Sequence, residues 1–279
     1  NEDRGSIAYV ILLTVVAALG GLLFGYDTAV VSGATGFLEK LFGLGTLGKG
    51  FAASSGLVGC MGGAACAGVL SDRAGRKKAL LLAAILFTGS SLGCAYARSL
   101  TEFNLARVVV GLGIGIASML SPMYIAEVSP ARIRGRLVSV NQFAIISGML
   151  IVYFVNAWIA GAGDEKWNIT VGWRWMFGSG ALPAIVFLVL LFLVPESPRW
   201  LLKQRRDAQA RHILTRVGGS KYAATEIAEI QNSLTSEGGS MRDLLSPSLR
   251  IPLLIGVGLA VLQQITGINI VLYYAPEIF

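Results

Sequence analysis

Seven long apolar runs, at roughly residues 7–34, 50–70, 78–97, 102–126, 137–161, 173–194 and 251–279, decide what this chain can fold into. Each is about 20 residues or longer, enough for an α-helix to cross a hydrocarbon core of about 30 Å, and the short alternating segments of a membrane β-barrel are missing. Backbone in lipid has to satisfy its own hydrogen bonds, so the expected fold class is an all-α, multi-pass membrane protein. Composition agrees, with 54% of the 279 residues hydrophobic and 14% charged; soluble domains carry about 25%. A water-soluble globule is excluded. The first run is too long for a signal-peptide core and has no A-x-A-like site before the next span, so it is read as a retained helix.

Charge sets the topology. The 23 Lys+Arg against 16 Asp+Glu give +7. In a membrane protein such an excess marks the cytoplasmic side before it marks an anionic partner, so nucleic-acid binding is disfavoured. The connections after the second, fourth and sixth runs are basic and the others are not, which places the N-terminus and the basic loops inside. Residues 195–249 form the one extended polar region. Ser197-Pro198 suits a helix start, apolar residues then recur at helical spacing up to Gly218-Gly219, and a second helix is expected over 223–234. The organisation predicted is a six-span bundle (1–194), a cytoplasmic helical linker (195–249) and the first span of a second bundle (250–279). That is the layout of a two-bundle transporter. With no Met at Asn1 and an apolar run still open at Phe279, the sequence reads as part of a longer polypeptide.

Ionisable groups at bilayer depth cost a few kcal/mol, about 3 on insertion scales, and so mark function. Two stand out. Asp27 lies roughly 10 Å below the outer end of the first span and Arg107 roughly 9 Å below that of the fourth, at 1.5 Å per residue. Matched depth predicts an Asp27–Arg107 ion pair if the two spans are neighbours. Arg stays protonated while a desolvated carboxylate can accept a proton, so the pair suits proton-linked conformational change; a purely structural pair is the alternative. Uncharged polar groups form a second set: Gln263, Gln264, Thr266, Asn269, Tyr273 and Tyr274 in the seventh run, and Asn141 and Gln142 early in the fifth. Amides offer the donors and acceptors that sugar hydroxyls need, though interhelical bonding accounts for them equally well. Gly267 permits a helix break among them.

Other patterns are weaker. Gly111, Gly113 and Gly115 do not match a dinucleotide fingerprint and are read as close helix contact. Cys60, Cys66 and Cys94 read as small packing residues, the single His212 assembles no catalytic triad, and no metal, cofactor or enzymatic apparatus is expected. Asn168-Ile169-Thr170 has the form of a glycosylation acceptor in an outer loop. Acids accompany bases at the basic face, in Asp72-Arg73 with Arg76, in Glu127 with Arg134, and in Glu196 with Arg199. Together they suggest a weak salt-bridge network that closes that side; topology signalling explains the bases but not the acids.

Gly68-x-x-x-Asp72-Arg73-x-Gly75-Arg76-Lys77, Pro195-Glu196-Ser197-Pro198-Arg199, Gln263-Gln264-x-x-Gly267-x-Asn269 and Tyr273-Tyr274-Ala275-Pro276 together resemble the sugar porter branch of the major facilitator superfamily. The resemblance covers essentially the whole chain. It implies the N-terminal six-helix bundle, its intracellular helices and the first helix of the second bundle, with the C-terminal half of the same transporter as expected partner. It implies symport of a proton with a monosaccharide, D-xylose or a related pentose or hexose, across the inner membrane; a facilitative uniporter, or less so a membrane sugar sensor, is the alternative. Asp27 and Arg107 are implied as the proton-coupling pair. Phe24, Gln142, Gln263, Gln264 and Asn269 are implied in sugar binding, with Tyr273 near the outer gate. Glu127, Arg134, Glu196 and Arg199 are implied by the same resemblance to belong to the intracellular gate, to which the acid–base pattern adds Asp72, Arg73 and Arg76.

Overall fold

The computed structural model describes residues 5–236 and 249–267. Among them, six helical segments are long and apolar enough to cross a membrane: α1 (Ile7–Phe42), α2 (Thr46–Ala74), α3 (Arg76–Tyr96), α4 (Leu100–Val128), α5 (Arg134–Gly161) and a sixth, Glu165–Leu193. The sixth is built in pieces: α6 (Glu165–Trp167), a π-helical stretch over Asn168–Gly172, α7 (Trp173–Ser179) and α8 (Ala181–Leu193). Asn168 is buried in it and donates to the Ala160 carbonyl at 2.8 Å, so the expected outer-loop acceptor is instead a helix-packing amide.

Helix ends follow local chemistry. Ser6 caps α1 by accepting from the Tyr9 N–H, and Ser99 caps α4 by accepting from the Glu102 N–H, while Glu102 accepts from the Arg98 N–H. α1 runs beyond the expected residue 34 to Phe42. Glu39 and Lys40 interrupt the apolar run there, but Leu38 is buried among Phe103, Trp173 and Phe177, and the helix stops only where Gly43 turns left-handed at φ 61°. The turn between α2 and α3 depends on Gly75, at φ 98°, where a Cβ would also lie 2.2 Å from a Glu196 carboxylate oxygen.

The spans pack through glycine. Across α2 and α4, a Cβ on Gly111 would stand 2.0 Å from the Gly56 carbonyl oxygen, one on Gly59 2.0 Å from that of Val108, and one on Gly115 2.2 Å from that of Cys60. The glycines of the expected close contact therefore meet backbone directly, the arrangement by which helices associate in lipid without a hydrophobic drive. Gly111→Ala is expected to lower stability by about 3 kcal/mol, since backbone cannot yield as a side chain can. Gly36, with open space around it, is the control, and Gly36→Ala should leave the unfolding midpoint in detergent level or raise it. Equal midpoints for the two variants would remove the contact's importance.

Two apolar clusters stack along the bundle axis. One holds Leu13, Leu23, Val110, Leu120, Tyr124 and Phe187; the other holds Tyr26, Ala29, Phe103, Trp173 and Phe177. Asp27 and Arg107 fall in sequence where one cluster gives way to the other.

The polar region forms α9 (Pro198–Lys203), α10 (Asp207–Gly218) and α11 (Ser220–Ser236). Ser197 caps α9 with Pro198 at its first position, and Gly219 at φ 90° ends α10, as the sequence suggested. One expected helix is nonetheless two. Arg205 adopts φ 57°, and the Arg205 and Arg206 amides bond back to the Leu202 and Leu201 carbonyls in a Schellman arrangement that ends α9 without glycine. Trp200, Leu201, Ile213, Leu214, Ile227 and Ile230 form a separate small core. The chain start docks on it: the Ser6 amide donates to the Arg216 carbonyl at 2.9 Å and the Arg216 guanidinium lies 3.9 Å from the Tyr9 ring. The N-terminus of α1 thus shares a face with these helices. α12 (Arg250–Ile265) is the described part of the seventh run and has no buried residue.

Candidate functional site

α1 and α4 bring Asp27 and Arg107 together. Arg107 Nη1 donates to Asp27 Oδ1 at 2.5 Å, with the two residues 3% and 7% exposed. A guanidinium and a carboxylate so deeply buried are tolerable only as a pair. Neighbouring residues fix the guanidinium. The Phe177 ring centroid lies 5.7 Å from its Cζ, and Gly56 faces it so closely that a Cβ there would lie 2.8 Å from Nη2. Beside the pair is a cavity of about 20 Å³, room for one water, walled by Phe24, Asp27, Gly56, Cys60 and Arg107 among others. Cys60 and Gly56 were illegible as site residues, because in a glycine-rich span neither is distinguishable from packing.

The remaining sugar-site candidates are not gathered at this cavity. Phe24 is half-buried in its wall, but Gln142 is exposed on α5 and Gln263 and Gln264 are exposed on α12, on faces that the described residues leave uncovered. Asn269 and Tyr273 lie outside the described residues. Among the described residues α12 ends at Ile265, and Gly267, where a break was permitted, adopts φ 72°.

At the face with the α2–α3 turn, acids and bases form a network whose partners differ from those suggested by proximity in sequence. Glu127 at the end of α4 takes a two-pronged contact from Arg76, at 3.0 Å from both Nε and Nη2, rather than from Arg134. Arg76 also donates to Asp72 at 3.1 Å and to the Ser71 carbonyl at 3.2 Å. Ser197 donates to Glu127 through its hydroxyl. Glu196 accepts from the backbone amides of Lys77 at 3.0 Å and Ser197 at 2.9 Å, not from Arg199, which reaches Ser233 at 3.0 Å. Arg134 faces Glu226 of α11 at 3.5 Å, and Lys203 of α9 meets Asp72 at 3.1 Å. Arg73 stays exposed. The Tyr222 phenol is held above its ordinary pKa by burial and by neighbouring Glu226, so it remains a neutral donor. The rearranged pairing follows from geometry: α3 starts immediately after the turn, which sets Arg76 against the end of α4, while Arg134 opens α5 on the side of α11. Glu226, Ser233 and Lys203 carried no motif that could have singled them out.

Residues 13–279 match the profile of the sugar (and other) transporter family. A D-xylose-proton symporter of Escherichia coli (strain K12) is 45% identical over 299 aligned residues, covering 98% of this chain and 60% of that protein. An arabinose-proton symporter of Bacillus subtilis (strain 168) is 44% identical over 275 residues, covering 98% and 59%. The solved structure of the major facilitator superfamily proton:xylose symporter XylE bound to 6-bromo-6-deoxy-D-glucose superposes with a TM-score of 0.90 at 46% identity, covering 98% of this chain and 62% of that one. The chain therefore spans about 60% of the length of the curated relatives it matches. Profile, sequence and superposition agree along nearly its whole length, and the chain belongs to the sugar (and other) transporter family of the major facilitator superfamily.

Proposed function

We propose that this chain is the first half of a proton-coupled monosaccharide symporter of the inner membrane, working by alternating access with its N-terminus and basic turns in the cytoplasm. The observation that carries the reading is the Asp27–Arg107 contact at 2.5 Å, buried beside room for one water. The guanidinium stays charged, whereas the carboxylate can take a proton reaching it through that cavity. Neutral Asp27 leaves Arg107 without its counter-charge, which favours a different helix arrangement and links proton arrival to a population shift. Phe24, Gln142, Gln263, Gln264, Asn269 and Tyr273 then hold the sugar once the C-terminal half closes over the first, since alternating access rocks two bundles about a midplane site. In this organisation residues 1–194 form the first bundle, 195–249 the cytoplasmic linker and 250–279 the start of the second. Asp72, Arg73, Arg76, Glu127, Arg134, Glu196 and Arg199 serve the intracellular gate. The names of the two relatives favour a pentose, D-xylose or arabinose.

Labelled D-xylose, arabinose and glucose supplied to cells carrying the complete transporter test the reading, with the pH of a weakly buffered medium followed in parallel. Uptake accompanied by alkalinisation supports symport. Uptake without alkalinisation assigns a uniporter, and sugar binding without counterflow assigns a sensor. Gly56→Ala is expected to push the guanidinium off Asp27 and to lower the accumulation ratio about tenfold, the equivalent of one weakened charge-assisted hydrogen bond. Unchanged accumulation would mean that coupling does not depend on the position of Arg107.

A further inference from the structure

Away from the ion pair, α3 and α7 enclose a groove of about 500 Å³. Its position is set by helix length. The 21 residues of α3 span about 31 Å, one hydrocarbon core, from the basic turn at Arg76 to Tyr96, so the end near Tyr96 lies at the opposite membrane interface. Two large amphipathic rings mark that level on the groove, Tyr96 at 78% and Trp175 at 63% exposure, and such rings gather at headgroup depth. One turn deeper, exposed Leu92 and the smooth surface of Gly178 against Ala95 offer an apolar wall.

The polar end is cationic. Arg98 is exposed on the turn after α3, where its backbone N–H donates to the Glu102 carboxylate at 2.8 Å while its guanidinium faces outward. Arg174 is a fixed charge: its Nη1 donates to the Ala95 and Ala97 carbonyls at 2.9 and 2.6 Å, and its guanidinium stacks 4.4 Å from the Trp173 ring. Among the described residues, none that lines the groove is acidic. A cleft with two guanidinium groups at headgroup depth, aromatic rings beside them and an apolar wall toward the bilayer interior complements a single molecule that carries an anionic phosphate and acyl chains. We propose that this groove binds one anionic phospholipid of the leaflet opposite the basic turns, with its phosphate on Arg98 and an acyl chain along Leu92 and Gly178. The lipid would tie the α3–α4 turn to α7, whatever the protein carries.

The test is native mass spectrometry of the complete transporter purified from bilayers of mixed phosphatidylglycerol and phosphatidylcholine. The ratio of the two lipids retained is compared with the ratio supplied. Selective retention of phosphatidylglycerol is expected, reduced about fivefold by Arg98→Gln, the contribution of one basic residue at a membrane surface, and kept by Arg98→Lys. Retention without selectivity, or selectivity untouched by Arg98→Gln, overturns the site. Displacement of phosphatidylglycerol by soluble glycerol phosphate overturns the lipid as its occupant, since a site for a free anion would not need the apolar wall.

Discussion

Asp27→Asn is expected to abolish accumulation of sugar against its gradient while leaving sugar binding and exchange close to those of the parent protein. The amide keeps the shape of the carboxylic acid and can still face Arg107 Nη1, but it can neither gain nor release a proton. The variant is therefore held in the electrostatic condition of the protonated carrier. Steps that cross between outward and inward arrangements with sugar bound should proceed; steps that require a negative charge beside Arg107 should not. Measured in vesicles, counterflow should persist and the uphill accumulation ratio should fall from its coupled value to unity, a loss of at least about tenfold, or about 1.4 kcal/mol of coupling. Uphill uptake that survives in Asp27→Asn would take the coupling role away from this carboxylate.

The second large effect concerns stability. Arg76→Met should destabilise the bundle by about 3–5 kcal/mol, because it leaves Glu127 buried near the end of α4 without its cation. The Arg76 and Glu127 side chains are 8% and 11% exposed, so water replaces little of what is lost. Methionine preserves most of the apolar stem, and the change therefore reports the charge and its hydrogen bonds. The midpoint of thermal unfolding should drop by about 10 °C, given a few degrees per kcal/mol for a bundle of this size. Arg76→Lys should recover only part of it, since an ammonium cannot supply the two-pronged contact made by Nε and Nη2. In Arg76→Met combined with Glu127→Gln, much of the loss should return, because no buried charge is then stranded. Additive losses in the double variant would show that the two side chains act separately.

Hydropathy made six spans legible, because lipid leaves the backbone few alternatives. The Asp27–Arg107 contact was legible for a related reason: two opposite charges at matched depth have little else to meet. The acid–base network at the α2–α3 turn was legible as a collection of residues but not as pairs. Neighbours in sequence around Glu127 and Glu196 suggested Arg134 and Arg199, whereas helix crossings supplied Arg76 and backbone amides instead. Features without a sequence signal were missed. Arg205 turns left-handed where no glycine announces it, and Gly56 shapes the guanidinium site while resembling every other glycine in α2. Asn168 matched a surface motif but is buried in the sixth span. The amides Gln142, Gln263 and Gln264 could be nominated from their chemistry alone, and they stand exposed on α5 and α12.

In the proposed mechanism Asp27 takes and gives up the coupling proton beside Arg107. Infrared difference spectroscopy of the complete transporter, recorded on adding D-xylose near neutral pH, addresses it most directly. A carbonyl band of a protonated carboxylic acid is expected, one that shifts in heavy water and disappears in Asp27→Asn. A sugar-induced carboxylic band that persists unchanged in Asp27→Asn would contradict it.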